Sequence, residues 1–202
     1  MIKRTGLIGR TLLAVMLLFG LTGVATSAEQ SSKNREGFGG PFSLTAGDGS
    51  IKTDGSFRGR WLLVYFGYTH CPNICPMTLS AISQALETLG PLAEKVQPLY
   101  ITIDPERDTP DQMREYTRAF DPRIIGLTGS PQAIASVAKE YRVFYRKIAG
   151  KAPGDYSMQH SAYVYVMGPD GRYVTLITKS EDPEAIAGRM RELLTLAGPT
   201  SD

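Results

Sequence analysis

The chain has 202 residues, with 22 basic and 20 acidic side chains and no basic run beyond its N-terminus, so it lacks the electrostatic footprint of a nucleic-acid binder. Its apolar fraction of 42% can build a real core, and its length suits one domain. Two cysteines, Cys71 and Cys75, are too close together for a bond between them to constrain much chain, so the pair reads as chemical rather than structural.

The N-terminus opens Met1-Ile2-Lys3-Arg4, with a further Arg10, followed by an uncharged run from Thr11 to Ala28. That is the layout of a secretory signal, and Thr26-Ser27-Ala28 offers small residues for cleavage. A spanning helix needs about 20 apolar residues. This run falls slightly short, and Gly20 and Gly23 weaken it. Residues 1–28 are therefore expected to be a cleaved signal peptide, with an uncleaved membrane anchor as the alternative. Lys3 and Arg4 would keep the N-terminus cytoplasmic. No cysteine lies near the segment to carry a lipid. Export would place the protein in the periplasm or on the periplasm-facing side of the inner membrane. Removing residues 1–28 from 202 leaves 174 and takes away Lys3, Arg4 and Arg10, so 19 basic residues face 20 acidic ones.

Residues 29–40 are polar and Gly-rich and read as a flexible tether. A single domain is expected over residues 41–198. Phe42 to Ile51 contains Gly47-Asp48-Gly49, a hairpin turn. Trp61 to Phe66 is an unbroken apolar run, the mark of a buried central strand. A helical pattern with Leu79, Ile82, Leu86 and Leu89 spans Pro76 to Leu89 and stops at Gly90-Pro91. Then come a strand from Pro98 to Ile103, a helix from Pro110 to Phe120, a strand from Ile124 to Leu127 and a helix from Pro131 to Phe144. Strands from Ala162 to Met167 and Arg172 to Thr178 flank the turn Gly168-Pro169-Asp170-Gly171, and a last helix runs from Pro183 to Leu196. With residues 124–144 set aside, the order is β-α-β-α-β-β-α. The predicted class is therefore α/β, a thioredoxin-like fold with an inserted strand and helix, as in its peroxiredoxin-like branch, and an N-terminal β-hairpin.

Three helices are predicted to begin alike, at Thr109-Pro110, Ser130-Pro131 and Asp182-Pro183, each a capping residue followed by proline. Thr109 with Gln112 also makes a capping box. By analogy Cys75-Pro76 puts Cys75 at the N-cap of the first helix, with Cys71 at the exit of the central strand. The electropositive helix end favours thiolate over thiol. Redox proteins of this fold typically separate their cysteines by two residues, whereas here Pro72, Asn73 and Ile74 intervene. Such spacing lets two sulfurs share one ion or bond to each other. Two thiolates select copper(I), and a nearby imidazole also admits copper(II) or zinc.

His160 is the third expected ligand. It precedes the predicted strand from Ala162, at the loop that faces the cysteines in this fold, where thioredoxins carry a proline. His70, next to Cys71, is expected to point away as a supporting or surface group. Met77 and Met158 lie near the ligands in sequence, but a thioether is a weak ligand and more often fills a core.

Several motifs resemble the Sco/SenC family. They are Gly67-Tyr68-Thr69-His70-Cys71-Pro72-Asn73-Ile74-Cys75-Pro76, then Asp104-Pro105-Glu106-Arg107-Asp108-Thr109-Pro110, Phe120-Asp121-Pro122, Gly126-Leu127-Thr128-Gly129, and Tyr156 through Ser161. The resemblance runs from about Gly39 to Leu196. It implies a metallochaperone that holds one copper ion through Cys71, Cys75 and His160 and assists assembly of the binuclear copper centre of cytochrome c oxidase. It further implies partners: the oxidase's copper-centre subunit, and a thioredoxin-like reductant or another copper chaperone. Two positions depart from the family's usual acidic residues, Asn73 in the cysteine loop and Gln159 before the histidine. Asp104, leaving its strand at the end of the sheet where sites form, is expected to support the ligands. Two rival activities need only the thiols. One is an exported thiol-disulfide oxidoreductase using Cys71 and Cys75 on the oxidase subunit's cysteines. The other is a thiol peroxidase, disfavoured because Thr69 lies two residues before Cys71 rather than three.

Overall fold

A computed structural model of the protein describes residues 38–196. The expected signal or anchor at residues 1–28, and most of the expected tether, lie outside the described residues. In chain order the strands are β1 (Ser43–Ala46), β2 (Ile51–Thr53), β3 (Trp61–Gly67), β4 (Val96–Thr102), β5 (Ile125–Thr128), β6 (Tyr145–Ala149), β7 (Tyr156–His160), β8 (Val164–Met167) and β9 (Tyr173–Ile177). The helices are α1 (Ile74–Leu89), α2 (Pro110–Arg118), α3 (Pro131–Glu140) and α4 (Pro183–Leu196). No described helix is long and apolar enough to cross a membrane.

Seven strands form one sheet in the order β2-β1-β5-β4-β3-β8-β9. Strands β3, β4 and β5 run parallel, while β8 and β9 continue antiparallel on one side and β1 and β2 on the other. A parallel strand covered on both faces must be apolar throughout, and β3 is buried along its whole length. Alternation divides its side chains. Phe66 meets Tyr141 and Tyr165 at centroid distances of 5.3 and 5.9 Å, whereas Tyr65 stacks at 6.0 Å on Tyr100, its neighbour in β4. Helix α1 packs along α4. The predicted thioredoxin-like order is present, with β5 and α3 as the insertion and β1–β2 as the N-terminal hairpin.

Element ends shift by a few residues from the sequence pattern, and two helix ends and one hairpin differ in ways that bear on the site. Helix α1 begins at Ile74 rather than Pro76, because the Asn73 carbonyl already accepts from the Met77 N–H. Asn73 is thus the cap residue and Cys75 lies inside the first turn. Pro76 fits there because the first-turn N–H groups have no intrahelical partner to lose. Helix α3 stops at Glu140 rather than Phe144, because Arg142 takes a left-handed conformation (φ 53°) that turns the chain. Beyond that turn, β6 pairs antiparallel with β7 in a separate two-stranded sheet that the sequence pattern did not reveal.

Candidate metal centre

The ligand atoms of Cys71, Cys75 and His160 all lie within 4.8 Å of one another. Different devices bring them there. The chain leaves β3 at Gly67, makes a turn closed by the Cys71 N–H on the Tyr68 carbonyl, and enters α1 with Cys75 buried. His160 arrives on β7 instead. It ends that strand opposite Tyr145, and the Ser161 N–H donates to the Phe144 carbonyl at 3.0 Å. The histidine therefore sits on a hairpin, rather than in a loop that merely precedes β8.

His160 Nδ1 lies 2.9 Å from the Ser161 carbonyl oxygen, which can only accept. The Nδ1 position therefore carries the proton, leaving the Nε2 lone pair directed at Cys75 Sγ, 3.6 Å away. The rings of Tyr65 and Tyr68 meet the imidazole edge-on at 6.2 Å each. Both cysteines are free thiols. Metal bonds of about 2.0–2.3 Å put two ligand atoms of one ion roughly 3.3–4.0 Å apart, so only a small contraction is needed to seat a single ion.

The two sulfurs are electrostatically unlike. The hydrogen bond from the Cys75 thiol lowers the Cys71 pKa well below the ordinary thiol range, helped by the N–H groups of Cys75 and Asn73, and opposed by burial. Cys75 moves the other way, because its proton is engaged by Cys71 and because it is buried. The negative charge of the pair is therefore favoured on Cys71.

A single segment between β4 and α2 grips both parts of the site. On one side the Asp108 carboxylate, fully buried, accepts from the Thr69 N–H (3.1 Å), the Thr69 hydroxyl (2.6 Å) and the Thr102 hydroxyl (2.6 Å). That fixes the chain two residues before Cys71. On the other side Asp104 accepts from the Tyr156 hydroxyl (2.8 Å) and from Arg107 Nε (2.5 Å). Arg107 also donates to the Tyr156 carbonyl and lies 3.7 Å above the Tyr156 ring. Lys147 on β6 pairs with Glu106. These contacts anchor the hairpin that carries His160. Asp104 thus supports the site through Tyr156 and touches no ligand. Asp108, Arg107 and Tyr156 lie within the sequence motifs, but no local pattern assigns them these roles.

The other sequence candidates fall outside the cluster. His70 is exposed, with Nδ1 3.1 Å from the Thr69 hydroxyl and 3.8 Å from Asp108. Met77 is exposed and Met158 is buried in the core. The Thr69 hydroxyl is spent on Asp108 rather than offered to Cys71, which counts against the peroxidase alternative. Gln159 accepts from Arg146 across the hairpin at 2.7 Å.

Gly67 is where the strand must pass close to the site. A Cβ there would lie 2.7 Å from the Tyr100 ring and hydroxyl and 2.8 Å from Cys75 Sγ. Both neighbours are held by packed elements, so the added methyl cannot be relieved by a swinging side chain. Gly67→Ala is expected to cost about 2 kcal/mol in denaturant unfolding, the usual scale of overpacking. A wild-type midpoint would show that Cys75 is free to move.

A thioredoxin-like domain that brings two unlike cysteines and a histidine within reach of one another is the class defined by this fold and site. The model of the family described as SCO1/SenC matches residues 30–195, and the chain belongs to that family. A mitochondrial SCO1 homolog of Arabidopsis thaliana is 40% identical over 167 residues, covering 82% of this chain and 50% of that protein. The chain thus spans about half the length of that relative. Among solved structures, Bradyrhizobium japonicum ScoI with copper bound is 44% identical, with a TM-score of 0.71 over 77% of this chain and 98% of that one. BsSco, described as having a disulfide switch and as a member of the Sco family of cytochrome c oxidase assembly proteins, is 26% identical, with a TM-score of 0.61 over 80% of this chain and 96% of its own.

Proposed function

We propose that this domain carries one copper ion as cargo through Cys71, Cys75 and His160, and delivers it during assembly of the binuclear copper centre of cytochrome c oxidase. The observation that carries the proposal is the convergence of two sulfurs and one imidazole nitrogen within 4.8 Å. That donor set suits copper, since thiolates favour copper(I) and the imidazole accommodates copper(II). The copper-bound ScoI neighbour and the oxidase-assembly role given for BsSco's family support it. The working partner is the oxidase's copper-centre subunit. The protein acts in the periplasm or on the periplasm-facing side of the inner membrane, tethered there through residues 1–28 if they remain uncleaved.

The test is a titration of reduced protein with copper(I) against a chromophoric chelator. One equivalent should bind. His160→Ala should weaken binding by more than about 100-fold, because losing even a residue that only supports a ligand typically costs about 10- to 100-fold. It should leave the unfolding midpoint unchanged, because His160 is only partly buried at a strand end. Equal affinity in the variant would remove His160 from the site.

The unequal thiols favour a second reading, thiol-disulfide exchange on the same subunit. The Cys71 thiolate attacks a partner disulfide and releases one partner sulfur. Cys75 then attacks the mixed disulfide, giving the partner's dithiol and a Cys71–Cys75 disulfide, so the protein is oxidised and the partner reduced. A thioredoxin-like reductant would reset the pair.

A further inference from the structure

Two tyrosine hydroxyls border the Cys75 sulfur, and neither contacts the other two ligands. The Tyr65 hydroxyl lies 3.8 Å from Cys75 Sγ, directed at it as a donor. The Tyr100 hydroxyl is fully buried and has no hydrogen-bond partner among the described residues. An unpartnered buried hydroxyl costs about 1–3 kcal/mol, a cost that a partner gained in another state of the protein would offset. Gly67 shows where that partner is. The one methyl position that it leaves empty would lie 2.7 Å from the Tyr100 oxygen and 2.8 Å from Cys75 Sγ, so the hydroxyl and the sulfur face the same small space.

We propose that Tyr65 and Tyr100 are positioning residues that donate hydrogen bonds to the Cys75 sulfur when it ligates a metal, and so set how firmly the site holds its cargo. The inference rests on the copper reading above. A neutral thiol is a weak acceptor. When Cys75 becomes a ligand its proton leaves. The sulfur then carries charge inside an aromatic pocket, where an unsupported charge is costly. Two hydroxyls already facing it supply that support without rearrangement. Tyr100 is held in place by stacking between Tyr65 and Tyr116, at 6.0 and 5.7 Å.

The two states respond to Tyr100→Phe with opposite signs, and that separates this role from a packing role. The substitution removes an oxygen that nothing satisfies in the metal-free protein, so the unloaded variant should melt at or above the wild-type temperature. The loaded variant loses a hydrogen bond to a charged sulfur, so copper(I) affinity should fall by about tenfold. The thiolate-to-copper(II) absorption band should move to longer wavelength, because the sulfur donates electrons more readily without the bond. Tyr65→Phe should act in the same direction. Unchanged affinity and an unmoved band in both variants, with wild-type protein loading normally, would overturn the proposal. So would an unloaded Tyr100→Phe protein that is destabilised in proportion to its lost affinity. Wild-type protein that takes up no copper would instead overturn the reading of the site itself.

Discussion

Asp108→Ala is expected to lower the unfolding free energy by about 4 kcal/mol. A hydrogen bond to a charged group contributes about 1.5–3 kcal/mol, and this carboxylate accepts three. Alanine would leave the Thr69 N–H and two threonine hydroxyls facing a small polar void. Water would recover part of the loss, and the three bonds share one acceptor, so their contributions do not add in full. The Asp108 carbonyl still accepts from the Thr128 hydroxyl in the variant, which keeps the start of α2 against β5. Asp108→Asn retains an acceptor oxygen and the side-chain volume, and should lose about half as much. Urea unfolding with an unchanged m-value checks this. A loss under 1 kcal/mol in the alanine variant would mean that something other than Asp108 holds the cysteine loop.

The parts of the site that the sequence revealed, and those it hid, follow from how local each signal is. The central strand was legible because burial on both faces forces an unbroken apolar run from Trp61 to Phe66. Helix starts at Thr109 and Ser130 were legible because caps act over three residues, and the bonds to Gln112 and Ala133 are present. The same logic misplaced Cys75, because proline is tolerated anywhere in a helix's first turn and does not by itself mark the first position. The hairpin carrying His160 was hidden for a different reason. Most of β6 is exposed, with Arg146 and Lys147 facing solvent, so it shows no alternation to read. Its strand pairing is secured from outside by Asp104, Glu106 and Arg107, which lie more than 35 residues away in sequence. Nor does any local pattern show that a carboxylate in a helix-capping segment reaches back to Thr69. That link needs the parallel pairing of β3 with β4, which sets Gly67 beside Thr102.

At pH 6 an alkylating reagent such as iodoacetamide should label Cys71 more than about 100-fold faster than Cys75, because only thiolate reacts and an ordinary thiol is then roughly 0.3% ionised. Cys71 is lowered and borders the mouth of the site, whereas Cys75 is raised and has no exposed surface. The lower intrinsic nucleophilicity of a stabilised thiolate removes part of this advantage but does not reverse it. The same asymmetry gives the stability of the reduced protein a signed pH dependence. The folded state binds the Cys71 proton more weakly than the unfolded chain does. The stability from Cys71 is therefore present above the ordinary thiol range and lost as pH falls toward the lowered value. Cys75 holds its proton more tightly when folded, so its contribution is present below the ordinary thiol range and lost as pH rises beyond it. Reduced protein should consequently gain stability from mildly acid to neutral pH and give it back in alkali, relative to a variant with both cysteines changed to serine. Two further substitutions identify the cause. Cys75→Ser keeps a donor beside Cys71 and should preserve its fast labelling at pH 6. Cys75→Ala removes the donor and should slow it. Equal rates in those two variants would place the origin of the Cys71 thiolate in the backbone N–H groups rather than in its partner sulfur, and faster labelling of Cys75 in the wild type would put the charge on the wrong atom altogether.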